Sequence, residues 1–192
     1  MKIGFGNLNL FDYKGMSFLA RERNSFSMLS ENIISILHES LDNDFLVKYI
    51  YYTDKQPLSN EDLSKEYKKS LINEYILPVP FSPNVTLSQS CQLRAFYPDG
   101  DLENRTVLNP EINFQVIIHN NLWLIVEEKE DDQGKTYKVE KLRPYQIMDE
   151  IIRTFKDKSI DKVGIMYFDH FVYRYLNEEF GMYELFSRIK TF

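Results

Sequence analysis

Three histidines, one cysteine and a scatter of acids are the residues of this 192-residue chain whose types suit chemistry, and their spacing decides how much they can do. His38, His119 and His170 stand far apart. None has a second histidine or cysteine three or four positions away, the spacing that metal sites use. They read as turn or surface histidines. Cys91 has no cysteine partner and no nucleophile signature around it, so it reads as a buried structural thiol, and a lone cysteine suits a reducing compartment. Gly4-x-Gly6 is not followed by a strand-to-helix glycine fingerprint, and there is no phosphate-binding Gly-x-x-x-x-Gly-Lys and no Gly-x-Ser-x-Gly elbow. Adjacent acids such as Glu127/Glu128 and Glu178/Glu179 point to opposite faces of an extended chain, which suits solvent better than acid–base work. A nuclease-like or hydrolytic activity would have to rest on dispersed carboxylates, Asp99, Asp101 and Glu111. The expectation is no catalytic residue, no cofactor and no metal.

Two other features point to surfaces instead of chemistry. Glu127, Glu128, Glu130, Asp131 and Asp132 form an acidic run broken only by Lys129. The plain reading is a solvated loop; the sharper one is an acidic rim or lumen in a ring, where negative charge keeps passing DNA from sticking. The C-terminal end is rich in aromatics, and Tyr167, Phe171, Tyr173, Tyr175 and Tyr183 are the candidate subunit contacts. Strand alternation must leave some of these rings outside the core, where Tyr and Phe make strong protein-binding faces.

The elements that must position these residues follow from composition and periodicity. A chain of this length is one domain by size, and 43% hydrophobic residues are enough for a packed core. A net charge of −6 argues against a general nucleic-acid binder. No apolar run approaches the roughly 20 residues that a membrane helix needs, and the N-terminus lacks the pattern of a secretory signal. Residues 1–24 read as an N-terminal arm, and residues 25–192 as a single α+β domain, helical over 25–77 and sheet-rich over 89–192.

Leu29, Ile33, Ile36, Leu37 and Leu41 predict a helix over about 27–40, with Ser25 and Ser27 as candidate caps, and a short helix follows over 45–52. A third helix is expected after Pro57, with Ser59 and Asp62 as a capping box and Leu63, Tyr67, Leu71 and Tyr75 on one face. Pro78, Pro80 and Pro83 force an extended crossing to a strand over 92–97. The segment 111–119 alternates as a strand, and Asn120-Asn121 predicts a tight turn into an antiparallel return over 122–126. Residues 136–141 pair back across the acidic excursion. Arg143-Pro144 opens the best-patterned helix, with Ile147, Met148, Ile151, Ile152 and Phe155 on its apolar face. Val163 to Tyr167 reads as a strand with a bulge at Gly164, His170 as a turn, and Phe171–Leu176 with Met182–Ile189 as a last pair across Asn177-Glu178-Glu179. The fold class is α+β: a mostly antiparallel, mixed sheet flanked by helices, with an extended arm and a long β-hairpin.

Leu142-Arg143-Pro144-Tyr145-Gln146-Ile147-Met148-Asp149-Glu150, followed by Val163-Gly164-Ile165-Met166-Tyr167-Phe168, resembles the tail-terminator and related neck (head–tail connector) proteins of tailed bacteriophages. Tyr51-Tyr52-Thr53-Asp54-Lys55-Gln56-Pro57-Leu58-Ser59 also looks like a segment of such proteins, and the likeness spans about residues 45–186. The resemblance implies a structural virion protein in a homo-oligomeric ring, hexameric or twelvefold, at the head–tail junction. It also implies assembly in the host cytoplasm, portal, connector and tail proteins as partners, DNA passing through the lumen without specific binding, and no membrane. The alternative is a cytoplasmic α+β protein-binding module or regulator that captures a host protein through the same aromatic face.

Overall fold

The computed structural model describes residues 26–80, 90–103, 106–108, 110–160 and 164–190. The predicted arm and Pro83 lie outside them. Helix α1 (Phe26–Asp42) buries Leu29, Ile33, Ile36, Leu37 and Leu41 along one side, as its spacing predicts. Helix α2 (Asp44–Tyr51) starts at Asn43, whose side chain accepts from the Leu46 N–H at 3.0 Å. The same amide donates to Glu150 Oε2 at 3.1 Å and Thr154 Oγ1 at 2.8 Å, so one short side chain both caps a helix and fastens it to another.

The expected third helix is shorter and later than its pattern. Ser59 closes a 3₁₀ turn (Pro57–Ser59), and Asp62 pairs with Lys48 at 2.7 Å instead of completing a capping box. Helix α3 (Lys65–Ser70) is capped by Ser64, which accepts from the Tyr67 N–H at 3.2 Å. Of the four apolar positions expected to share its face, Leu71 is buried, Leu63 and Tyr75 are half-buried and Tyr67 is exposed. Proline at the start of the 3₁₀ turn and the Asn60 amide donating to Asp54 Oδ2 (2.8 Å) use up the segment in turns before a helix can begin.

Strands β1 (Ile76–Leu77), β2 (Cys91–Phe96), β5 (Glu111–His119), β10 (Phe180–Lys190), β9 (Gly164–Tyr175) and β8 (Ser159–Ile160) form a six-stranded sheet in that spatial order. Every neighbouring pair is antiparallel except β1 with β2, so the sheet is mixed. Two small ribbons stand apart from it: β3 (Asp101–Glu103) with β4 (Thr106–Leu108), and β6 (Leu124–Glu130) with β7 (Thr136–Leu142). The fold class read from the sequence, α+β with a long hairpin, is the one observed.

Helices cover one sheet face. Cys91, Leu93, Ala95, Ile112, Phe114, Val116, Ile118 and Leu185 meet Ile36, Leu37, Leu46 and Ile50 there, together with Ile147, Ile151 and Phe155 of α4 (Arg143–Phe155). Phe155 stacks on Phe114 with centroids 5.5 Å apart, joining the best-patterned helix to the central strand. Burial pushes the Cys91 thiol up to about 12, so it is a structural group, as its sequence context predicts.

Two pairings differ from expectation. β5 does not turn back into β6: Asn120–Leu122 is a 3₁₀ turn that leads the chain out of the sheet, and β6 pairs with β7 alone. Both edges of β5 are already taken, by β2 and by β10. The turn is held by His119 Nδ1, which accepts from the Asn121 N–H at 3.2 Å. It is tied to the β9–β10 loop by the Asn120 N–H donating to Glu179 O at 2.8 Å. Second, β9 runs unbroken through Asp169 and His170, where a turn was expected. Its bulge is at Asp169, not Gly164: Phe186 faces His170 and Ser187 faces Phe168, so Asp169 is the unmatched residue.

The fully buried Arg143 is the point where these parts lock. Its guanidinium donates to Leu122 O and Tyr49 O at 2.9 Å each, and to Tyr52 O and Asp54 O. Two of these carbonyls belong to the C-terminal end of α2, where the helix dipole favours a cation. Burial pulls its pKa down, yet a guanidinium with four carbonyl acceptors stays charged.

Candidate assembly surface

The aromatic residues gather on the part of the sheet that α4 leaves uncovered. Tyr173 and Tyr183 face each other across β9 and β10 with centroids 5.3 Å apart, and Phe171 lies 6.2 Å from Tyr183. Tyr145, on the first turn of α4, completes the group at 5.4 Å from Tyr183, with its hydroxyl 3.1 Å from the Tyr183 hydroxyl. Burial and that hydroxyl contact raise Tyr183 to about 12, so the ring stays neutral. Trp123 packs edge-on to Tyr173 at 6.1 Å and over Gly181, where a Cβ would come within 2.6 Å of its Cζ2. Gly181 is therefore glycine because the indole occupies the side-chain position. Outward from this cluster Phe171 is 56%, Tyr173 48% and Tyr175 67% exposed.

Of the five candidate contact residues, Phe171, Tyr173, Tyr175 and Tyr183 share this face and Tyr167 does not; Tyr183, on the inner strand β10, is buried in the core and so is not an exposed contact. The bulge at Asp169 reverses the alternation along β9, so Tyr167, paired with Arg188, points to the opposite side of the sheet. Trp123 and Tyr145 belong to the cluster but were not read as contacts from the sequence. Each sits at an element junction, and only the closure of β6–β7 against α4 brings it to β10.

The backbone of β9 adds to the surface. Its outer neighbour β8 pairs only with Gly164 and Ile165, and Met166 meets Lys156 in an isolated bridge. From Phe168 to Tyr175, no described residue pairs with the outer edge. Beyond the Asp169 bulge, which itself interrupts the edge, residues 170–175 carry no proline and no lysine, and Arg174 supplies a charge on the opposite face.

The five acidic candidates differ in environment. Glu127 is half-buried against α2: Tyr49 donates its hydroxyl to Glu127 Oε1 at 2.6 Å, and Lys141 donates to Oε2. Burial alone would raise this carboxyl, but the bonds from Lys141 and Tyr49 outweigh it and hold it below the usual carboxylate range. Asp131 builds the hairpin turn by accepting from the Gln133 and Lys135 N–H groups (3.0 and 2.9 Å), with Gly134 at φ +79°. Glu128 pairs with Lys138 at 3.5 Å. Glu130 and Asp132 are exposed.

On the sheet face away from the helices, Glu184 accepts from Arg174 Nε (2.8 Å), Gln115 (3.0 Å) and Asn113 (3.3 Å). Burial pushes this carboxyl up, and the three donors more than reverse it, leaving it depressed. The dispersed carboxylates Asp99, Asp101 and Glu111 do converge, with Gly100, on one polar cleft, but Arg188 shares it and pairs with both Glu111 (3.4 Å) and Asp169 (2.9 Å). Among the histidines, His38 is exposed on α1, His119 packs edge-on to Phe180 and His170 stacks on Phe186 at 4.5 Å. Among the described residues no three histidines, cysteines or acids are placed to share a metal ion, and no helix is long and apolar enough to cross a membrane.

Fold and surface together define an α+β protein with exposed aromatic rings along a strand whose outer edge pairs with no described residue from Phe168 to Tyr175. The chain belongs to the YomW family, a phage-associated family whose model matches residues 43–189. The matched region takes in α2 through β10 and leaves out α1 and the segment before it. No curated protein matches the chain.

Proposed function

We propose that this protein is a non-enzymatic structural component of a tailed-phage virion, part of a homo-oligomeric ring at the head–tail junction. Its work is done through surfaces offered to copies of itself and to portal, connector and tail proteins. The observation that carries this reading is the β9 edge, where exposed Phe171, Tyr173 and Tyr175 lie beside unpaired backbone. Aromatic side chains on a preformed strand supply large apolar area at little entropic cost, the usual make-up of a binding hot spot. The phage-associated family supports the setting, and the cation shared by the Asp99–Asp101–Glu111 cleft weighs against an acid–base centre there. In such a ring Glu128, Glu130 and Asp132 on the hairpin supply the exposed charge facing DNA.

The test is a phage carrying a disrupted copy of the gene. The reading requires filled heads and finished tails that fail to join, and the protein at fixed stoichiometry in purified wild-type virions. Infectious virions that lack the protein would instead favour the cytoplasmic protein-binding module.

A further inference from the structure

We infer that, in the free protein, the outer edge of β9 is covered by β9 of a second copy, in an antiparallel two-fold pair centred on Tyr173. The hydrogen-bond pattern of the sheet fixes which groups face outward. Leu176 N–H donates to Phe180 O, so Leu176 and Phe180 are a hydrogen-bonded pair of the β9–β10 ladder. Alternation then assigns Arg174, Val172 and His170 to β10, and turns the N–H and C=O groups of Phe171, Tyr173 and Tyr175 outward. The residues whose outward backbone groups meet no described residue are thus the ones with exposed rings on the helix-covered face.

A two-fold axis through this edge must set residues of one face opposite residues of the same face, which leaves few registers. Centring on Val172 sets His170 beside the partner's Arg174 and runs Tyr175 into the Asp169 bulge. Centring on Phe171 brings the bulge against Tyr173. Centring on Tyr173 pairs Tyr173 with the partner's Tyr173 and Phe171 with the partner's Tyr175, each a hydrogen-bonded pair that exchanges two bonds. On the opposite face it places Val172 beside the partner's Arg174 and His170 beside the partner's Leu176, with no like charges opposed. Of these three registers only the one centred on Tyr173 keeps the Asp169 bulge clear of the pairing, and it uses every outward backbone group between Phe171 and Tyr175.

The far edge of the sheet cannot take β9 in its place. β1 is two residues long and runs directly into Pro78 and Pro80, which donate no backbone hydrogen bond. Copies therefore cannot add head to tail through the sheet, and the open edge fits itself. Such a contact closes on itself, so it belongs to the free protein and gives way when subunits enter a polar ring, where each copy meets two different surfaces. The inference does not depend on the head–tail reading.

Light scattering on the purified chain should give a dimer at micromolar concentration. Tyr173→Cys should form an intermolecular disulfide on oxidation, since facing residues of a hydrogen-bonded pair lie about 5.5 Å apart at Cα, within disulfide range. Val172→Cys, off the axis, should not, and buried Cys91 does not compete. Tyr175→Pro removes an outward N–H with no bond lost inside the subunit; it should weaken dimerisation about 100-fold and leave the thermal melt of the isolated subunit unchanged. A wild-type monomer at every concentration overturns the inference. So does a dimer that Tyr175→Pro leaves intact, which places the contact elsewhere, or cross-linking through Val172→Cys in place of Tyr173→Cys, which refutes the register. Virion localisation is untouched by all three outcomes, so the two proposals fail separately.

Discussion

Arg143 carries more of this architecture than any other single side chain. Its four carbonyl acceptors come from the end of α2, the segment after it, and the turn before β6. Lysine offers three donors from a single point and cannot reach all four. Arg143→Lys should therefore lower unfolding free energy in urea by about 3 kcal/mol or more, the scale of leaving buried polar groups unpaired; a loss below ~1 kcal/mol would mean these carbonyls find other partners. Glu127 and Glu184 make a second residue-level case. Both are held below the ordinary carboxylate value in the folded chain, so each contributes stability that is present above the unfolded pKa of about 4.3 and is lost as pH falls through the folded one. Melting temperature should fall as pH drops below that value, and Glu184→Gln should flatten the slope. Identical slopes in the variant and the wild type would exclude Glu184 as a contributor.

At the scale of elements, the β6–β7 hairpin is a ribbon fastened at its base. At that base Ile125 enters the core, the Val126 N–H donates to Lys55 O at 2.7 Å and the Tyr49 hydroxyl of α2 donates to Glu127, which Lys141 braces from within the hairpin. Glu127→Ala should accelerate amide exchange along Glu127–Leu142 while β5 and β10 keep their protection, because those strands have neighbours on both sides. Equal protection in the variant would show that apolar contacts alone seat the hairpin. The bulge in β9 is the other device at this scale. One unmatched residue, Asp169, lets Met166 and Phe168 serve the core while Phe171, Tyr173 and Tyr175 stand outside beyond it, all on one face of one strand. Without it, core and surface residues of β9 would exchange faces midway.

For the whole molecule, one apolar cluster runs from α1 through β2, β5 and β10 to α4 and β9. Helical and sheet-rich portions share it, so neither retains a core of its own when the other opens. Unfolding followed by far-UV circular dichroism and by Trp123 fluorescence should give coincident transitions, the mark of a single cooperative unit. Separate midpoints would mean that the helical segment 26–77 and the sheet are independent. The two edges of the sheet differ at the same scale: one ends in a two-residue strand and prolines, and along the other no described residue pairs with the aromatic stretch of β9, which is why the proposed contact is placed there.

What the sequence determined by itself is mostly local. Spacing of Leu29, Ile33, Ile36, Leu37 and Leu41 identified α1, alternation of Ile112, Phe114, Val116 and Ile118 identified the buried face of β5, and Arg143-Pro144 marked the start of α4, because side-chain periodicity and proline geometry act within a few residues. That some rings of the aromatic tail stay outside the core was legible for the same reason, though not which ones: Tyr183 is buried, while Phe171, Tyr173 and Tyr175 are exposed. Which strands lie side by side was not: alternation tells a strand which face to bury and nothing about its neighbour, so β5 could be matched with β6 when its partners are β2 and β10. Nor could spacing show that Glu127 turns inward to Tyr49, that Asp169 sends Tyr167 to the other face, or that Trp123 and Tyr145 meet over Gly181. Each of those depends on contacts between residues far apart in the chain, and only the packed tertiary structure sets them.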